Sequence, residues 1–328
     1  MNTEATANTI LALQRPNGAI PYDEQGGLDP WNHVEAAMGL DVAARHDAAA
    51  RAYLWLRHLQ NNDGSWYSQY RHGEPVNADL DANFTAYIAV GVLHHYLTTG
   101  DMTFLADLWP AVDRAITFVL TLQRESGEFA WRWSPEHGLR DTTLLAGNCS
   151  IHHALRSAST LADITGNRRP QWTESADQLQ NAITTQPDSF TPKPHAMDWY
   201  YPVLGGVLED AAATTHLAVG WNRFVVPGHG VRCVRHEPWV TGGETAELAL
   251  TLAVRGDTHR ASQVFATLQR LRTADGDYWT GHNYSTDNLW PLERTTWTSG
   301  AALLAHAAIT GHHSTCRTFG VRSVNSVS

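Results

Sequence analysis

Apolar residues recur along the chain in two alternating styles. In one they mark a single face: Ala261, Val264, Phe265, Leu268 and Leu271 stand at three- and four-residue intervals, the stripe of an amphipathic helix with one wet side. In the other, Ala, Gly, Thr and Leu fill nearly every position, as in 83–97, 149–164, 244–254 and 299–309, which suits helices covered all round. The spacing predicts outer helices near 3–14, 47–60, 110–124, 170–184, 209–222 and 257–272. Inner helices are predicted near 30–45, 79–98, 145–165, 199–208, 242–255 and 295–310. A two-helix unit cannot bury its inner face alone and must stack on neighbours. Six such pairs close most simply into an all-α (α/α)6 toroid of six inner and six outer helices. Short hairpins are expected at most around 66–70 and 131–133. Pro187, Pro192, Pro194 and Pro202 leave room for only a short fourth inner helix. One domain over 1–313 results, with a polar tail, 314–328, predicted to fray.

A short phrase punctuates the outer helices. Leu13-Gln14 precedes Asn17-Gly18, and Leu59-Gln60 precedes Asp63-Gly64-Ser65-Trp66. Leu122-Gln123 precedes Ser126-Gly127-Glu128-Phe129, and Leu268-Gln269 precedes Asp275-Gly276-Asp277-Tyr278-Trp279. Each reads as a helix end, a glycine turn and an aromatic. Polar, aromatic loops then lead into the inner helices. The clearest is Gly26 to Leu40, where Asp29 suits a helix N-cap and Pro30 its first turn.

In a toroid the loops entering the inner helices converge on one end of the central cavity. The candidates there are Asp29, Trp31, Asn32 and His33; Trp66, Tyr67, Asp79, Asp81 and Asn83; Trp131, Trp133, Asn148 and His152; Asp198, Trp199 and Tyr200; Trp239 and Glu244; Trp279 and Trp297. Glu237, Thr241 and Glu293 lie in the same loops. Carboxylates and aromatics dominate, and the chain carries 13 tryptophans, most of them in these loops. Flat rings that stack on sugar faces, together with two carboxyl groups that share the proton work of glycosidic cleavage, are what a glycan cleft needs. The same acids also read as caps: Asp29 before Pro30, Asp79 or Asp81 before the second inner helix, and Thr241-Gly242-Gly243-Glu244 as a capping box.

Composition narrows the partners. With 43% hydrophobic and 17% charged residues in 328, the chain can bury a sizeable core. A net charge of -10 and no clustered Lys and Arg argue against nucleic acid and anionic membranes. Neither a signal-peptide pattern nor a long apolar span occurs, so a cytoplasmic location is expected. Three widely spaced cysteines, Cys149, Cys233 and Cys316, fit neither a disulfide framework nor a Cys-x-x-Cys site. Eighteen histidines include adjacent pairs but no His-Glu-x-x-His, and adjacent residues on a helix diverge by about 100°; no metal is expected. Absent nucleotide and acyl-transfer motifs leave a cofactor-free hydrolase. The oligomeric state is left open.

At these loops the sequence resembles the (α/α)6 glycoside hydrolases over about residues 10–311. The segment from Tyr87 to Asp101 and on through Leu108-Trp109-Pro110-Ala111-Val112 is similar to a helix pair of glucoamylase-like enzymes. More narrowly, the chain is similar to the mycobacterial methylmannose polysaccharide hydrolases, endo-acting α-(1→4)-mannosidases. That resemblance implies an early Asp and a late Glu as the catalytic pair, which fall on Asp29 and Glu244. Likeness to inverting (α/α)6 hydrolases implies Asp29 as acid, Glu244 as base and the carboxyls about 6.5–9.5 Å apart. A rival resemblance joins the Leu-Gln-x-x-Asp-Gly-Ser-Trp phrase to terpenoid cyclases and prenyltransferases, which also form α/α toroids. Against it, Ala82 stands where a cyclase motif has a second acid, and no Asp-x-Cys zinc pair occurs. A non-catalytic glycan-binding protein is the third reading.

Overall fold

The computed structural model describes residues 1–320. In chain order the helices are α1 (Thr3–Leu13), α2 (Pro30–Val42), α3 (His46–Leu59), α4 (Ala82–Ala86), α5 (Ile88–Thr99), α6 (Met102–Leu120), α7 (Leu145–Ile164), α8 (Pro170–Thr185), α9 (Ala196–Leu204), α10 (Asp210–Phe224), α11 (Gly242–Val254), α12 (Thr258–Ala266), α13 (Thr296–Ile309) and α14 (His313–Phe319). The strands are β1 (Gly27–Leu28), β2 (Gln69–Arg71), β3 (Glu74–Asn77), β4 (Leu80–Asp81), β5 (Arg132–Ser134), β6 (Gly138–Leu139), β7 (Val225–Val226), β8 (Gly230–Arg232), β9 (Trp239–Thr241), β10 (Gly281–Asn283) and β11 (Asn288–Leu289).

Helices α2, α5, α7, α9, α11 and α13 each pack on the next, and α13 returns to α2, closing the predicted inner ring. Their residues are buried on almost every side, as in Gly242–Ala253 of α11 and Thr298–Ala305 of α13. Small residues permit this: a Cβ on Gly39 of α2 would sit 2.8 Å from the Cα of Gly300 on α13, so the two backbones touch. Helices α1, α3, α6, α8, α10 and α12 form the outer layer, each with one buried stripe, such as Trp172, Ala176, Leu179 and Ile183 of α8.

The repeated Leu-Gln-turn-Gly phrase is the joint between successive outer helices. The Gln60 side-chain amide donates to the carbonyls of Gly64, in its own turn, and Ala111, on α6, both at 2.8 Å. Gln14 makes the same pair of bonds to Gly18 and Ala48, and Gln123 to Gly127 and Ser175. Gly64 has φ +97°, and a Cβ there would lie 2.3 Å from the Arg114 carbonyl oxygen. Glycine is required both for the dihedral and for the approach. The phrase that suggested a cyclase is therefore structural.

Four expectations change. The outer helix placed at 110–124 starts instead at Met102, capped by Asp101, and carries Pro110 in its interior. The carbonyl that Pro110 leaves unpaired belongs to exposed Ala106, where water can satisfy it. The second inner helix is broken at Tyr87 into α4 and α5, and Asp79 and Asp81 precede it rather than belong to it. The hairpins form sheets, β1-β2-β3, β4-β5-β6 and the five-stranded β11-β10-β9-β8-β7, whose two- to four-residue strands are too short to show a period of two. Finally, the segment after His313 does not fray up to residue 320: α14 buries Ser314, Thr315, Thr318 and Phe319. His153 of α7 donates to the Thr318 carbonyl at 2.7 Å, and Ser314 donates to the Leu97 carbonyl. This short helix packs on α5, α11 and α13 and reaches α7 at His153, closing the toroid at that end. Residues 321–328 of the predicted tail lie outside the described residues.

Candidate active site

Three of the strands feed straight into inner helices. β1 leads through Asp29 into α2, β4 ends on Asp81 at the start of α4, and β9 ends on Thr241 at the start of α11. The acids at these three mouths therefore stand at one end of the toroid, opposite α14.

Asp29 caps α2: its Oδ1 accepts the Asn32 backbone N–H at 2.8 Å and its Oδ2 accepts the Asn32 side-chain amide. Burial raises its carboxyl to about 6, against the opposing pull of those bonds from Asn32. Such a group is protonated for part of its time near neutral pH, as a general acid must be. Asp81 is built alike. Its Oδ1 caps Phe84 and its Oδ2 accepts the Trp131 indole N–H at 2.6 Å, while burial raises it to about 6. Asp79 is committed elsewhere, in an ion pair with Arg132 at 2.6 Å. The Arg132 guanidinium lies 3.5 Å over the Trp131 ring, so Trp131, Arg132, Asp79 and Asp81 make one fixed wall.

Glu244 lies in the first turn of α11 and is 5% exposed. The Thr241 hydroxyl donates to its carboxylate, and Thr241 makes no side-chain cap to the helix backbone. The Thr-x-x-Glu sequence is thus a side-chain pair and no capping box. Cys233, just past β8, lies near the same carboxylate; burial and the Glu244 charge push its thiol up. The Thr241 donor on a buried carboxylate favours one orientation. Around the ring only α13 lies between α11 and α2, so the carboxylates of Glu244 and Asp29 stand at mouths separated by a single unit.

Trp31 is stacked on Tyr87 with centroids 5.2 Å apart and meets Trp297 edge-on at 5.8 Å. The indole nitrogens of Trp31 and Trp297, and Oδ1 of Asn83, are buried without a hydrogen-bond partner. Buried polar groups left open in a cleft suit a ligand that brings hydroxyls. Tyr67 is half-buried beside Tyr70. Trp133 is exposed on β5, Trp239 donates to the Trp290 carbonyl, and Trp279 lies under Arg294. These stay candidates for substrate contact.

Seven predicted site residues are occupied otherwise. Trp66 is 1% exposed in the core, its N–H on the Leu56 carbonyl. His33 is a strut: Nδ1 accepts from the Ile20 N–H, Nε2 donates to the Ala52 carbonyl, and burial lowers it to about 4. Asn148 ties the Phe129 backbone by both its N–H and its carbonyl. His152 donates to the Gly205 carbonyl, and burial lowers it to about 4. Trp199 turns to the outer layer, stacked on Phe224 at 5.3 Å. Tyr200 points into the toroid wall and donates to Glu247. Asp198 accepts the Ala146 N–H at 3.2 Å, holding the start of α7.

The sequence reading passed over a second acid pair. Glu35 of α2 accepts from Tyr87 at 2.7 Å, and Glu247 of α11 accepts from Tyr200 and, at 2.8 Å, from Tyr201. Burial raises Glu35 to about 7 and Glu247 well above the carboxylate range. An acid inside an otherwise apolar helix was the available signal. Because Tyr87 carries Trp31 on its ring, this pair supports the cavity floor from below.

No protein-family profile matches the chain. It is 48% identical over 305 residues, 93% of its own length and 85% of the relative's, to an "MMP endo-(1,4)-3-O-methyl-alpha-D-mannosidase" of Mycolicibacterium hassiacum. Among solved structures, a glycosidase variant in complex with glucose superposes with a TM-score of 0.76 at 15% identity, covering 94% of this chain and 96% of that one. A D-mannose isomerase superposes at 0.71 and 11% identity, covering 94% and 97%. At such identities these two establish the α/α-barrel fold alone. Among the described residues no helix is long and apolar enough to cross a membrane.

Proposed function

The chain belongs to the family of the MMP endo-(1,4)-3-O-methyl-alpha-D-mannosidase of M. hassiacum, and from that premise we propose that this glycoside hydrolase cleaves internal α-(1→4) bonds of a 3-O-methylated mannose polysaccharide. Asp29 is the general acid that protonates the leaving oxygen, and Glu244 is the base that draws a proton from the attacking water. The observation that carries this reading is the placement of two buried carboxyls at the mouths of α2 and α11: Asp29, raised by burial to about 6, can hold the proton a general acid needs, and Glu244 is oriented by the Thr241 hydroxyl. Inversion follows if water fits between them.

Substrate enters along an open face. Trp131, Trp133, Trp239, Trp279 and Trp297 come from different loops around the mouth, which supports subsites on both sides of the cut and hence endo cleavage. Three unpaired cysteines support a reducing compartment such as the cytoplasm.

The test is incubation with methylated α-(1→4)-mannan, following product length by mass spectrometry and anomeric configuration by NMR. Oligosaccharides appearing before monosaccharide, with inverted anomers, are expected. Single sugars from the outset would mean an exo pocket, and retained anomers would make one acid a nucleophile.

A further inference from the structure

The mouth of the toroid carries large apolar side chains held in water. Val76 is 54% exposed, Trp133 38%, Leu139 49%, Trp290 59% and Leu292 78%. Single exposed apolar residues are ordinary on any surface. Their placement here is not: among the described residues only Met102 and Val219 are exposed large hydrophobics elsewhere. Val76 lies on β3, Trp133 and Leu139 lie on β5 and β6, and Trp290 and Leu292 follow β11. These are the hairpins built on β1, β4 and β9, the strands that deliver Asp29, Asp81 and Glu244.

The rim is ordered as well as apolar. Trp133 and Leu139 are direct partners across the β5–β6 ladder, so their side chains share one face of the hairpin. Trp290 meets Trp239 edge-on at 5.0 Å, and its carbonyl accepts the Trp239 indole N–H at 2.6 Å. Little entropy is left to lose when a ligand docks on it. Leu139, Leu292 and Val76 offer neither donor nor acceptor, so they do nothing for a sugar hydroxyl. A methyl ether is the opposite case: it removes a hydroxyl donor and adds a methyl group that gains by leaving water.

We propose that this rim reads methylation: Val76, Trp133, Leu139, Trp290 and Leu292 bury the 3-O-methyl groups of sugars on either side of the scissile bond and make the enzyme prefer methylated over unmethylated mannan. The proposal rests on the activity proposed above. Each methyl taken out of water favours binding by about fourfold, so three or four of them give a preference on the order of a hundredfold.

The experiment compares kcat/KM for two α-(1→4)-mannose oligosaccharides of equal length, one 3-O-methylated and one not, in wild type, Trp290→Ser, Leu292→Ser and Leu139→Ser, with Trp290→Phe as the conservative control. Each serine variant is expected to lose about four- to twentyfold on the methylated substrate while its rate on the unmethylated one is unchanged, and Trp290→Phe is expected to keep most of the preference. Equal losses on both substrates would overturn the proposal, since the rim would then serve the sugar ring or the fold. Unchanged kinetics with loss of a dimer in sedimentation would overturn it too, by assigning the rim to a second copy of the chain. If wild type cleaves neither substrate, the activity is what fails, and calorimetry with the same two oligosaccharides decides the rim separately. Tighter binding of the methylated form, lost in Trp290→Ser, sustains it; equal binding ends it.

Discussion

The Thr241 hydroxyl donates to the Glu244 carboxylate across the first turn of α11. Thr241 also pairs with Val231 and Gly281 in the five-stranded sheet, so the sheet fixes the donor and the donor fixes the acid. Thr241→Val removes that bond and keeps the strand. A charge-assisted bond is worth about 1.5–3 kcal/mol, so kcat should fall at least about tenfold with KM little changed, while Thr241→Ser restores it. Loss from Thr241→Ser as large as from Thr241→Val would mean that packing, not the hydroxyl, matters.

In the proposed role of general acid Asp29 acts in its protonated form, and burial raises it to about 6. The free enzyme's kcat/KM should therefore decline as pH rises through about 6. Asp29→Asn should cost several orders of magnitude, as should Glu244→Gln. If Asp29→Asn keeps both turnover and the alkaline decline, Asp81, raised to about 6 in the same way, is the acid.

The same shift has a sign for stability. A carboxyl raised on folding contributes stability below its unfolded pKa near 3.9 and loses it as pH climbs through the folded value of about 6. Asp29→Asn should then be more stable than wild type at pH 8, by about 2–3 kcal/mol at most, and no more stable at pH 4. Urea unfolding at the two pH values measures it.

At the other end of the toroid, Asp41 is fully enclosed by histidines. His95 meets it at 2.9 Å, His46 at 3.2 Å and His94 at 3.8 Å. Burial alone would raise it, but the bonds from His46, His94 and His95 outweigh burial and hold it below the usual carboxylate range. Its contribution is present above its unfolded value and lost as pH falls through the lower folded one. His46, raised chiefly by its bond to Asp41, contributes below its unfolded pKa near 6.5 and loses this as pH rises through the higher folded value. Asp41→Asn should cost about 3 kcal/mol with the largest difference near pH 5–6, read from denaturant midpoints, and leave kcat/KM at pH 6 unchanged.

Gly64→Ala places a Cβ at φ +97° and 2.3 Å from the Arg114 carbonyl oxygen. A loss of at least about 1–3 kcal/mol is expected, with normal turnover per folded molecule. A specific loss of turnover at unchanged Tm would return the phrase to the chemistry.

Legibility followed the range of the forces involved. Helix number, their inner and outer styles and the closed ring were written in periodicity and in small residues, because a helix buried all round, such as α13, is filled mostly by small and apolar residues and says so locally. Asp29 and Glu244 were visible for a similar reason, standing where polar loops give way to those helices. Roles were not visible. Trp66 and Trp297 are each an aromatic in or just past a polar loop in sequence, yet one has its N–H on Leu56 and the other has none on anything. His33, one residue from Asn32, faces the opposite way into the layer beneath. Hydrogen-bond partners come from residues far apart in the chain, as Trp131 does for Asp81 and Tyr87 for Glu35, and no local pattern records them. The sequence by itself determined a ring of slim helices with acids at its mouths; the tertiary structure alone decided which acids are bound by which donors, because burial and hydrogen bonding act between elements that only the closed ring brings together.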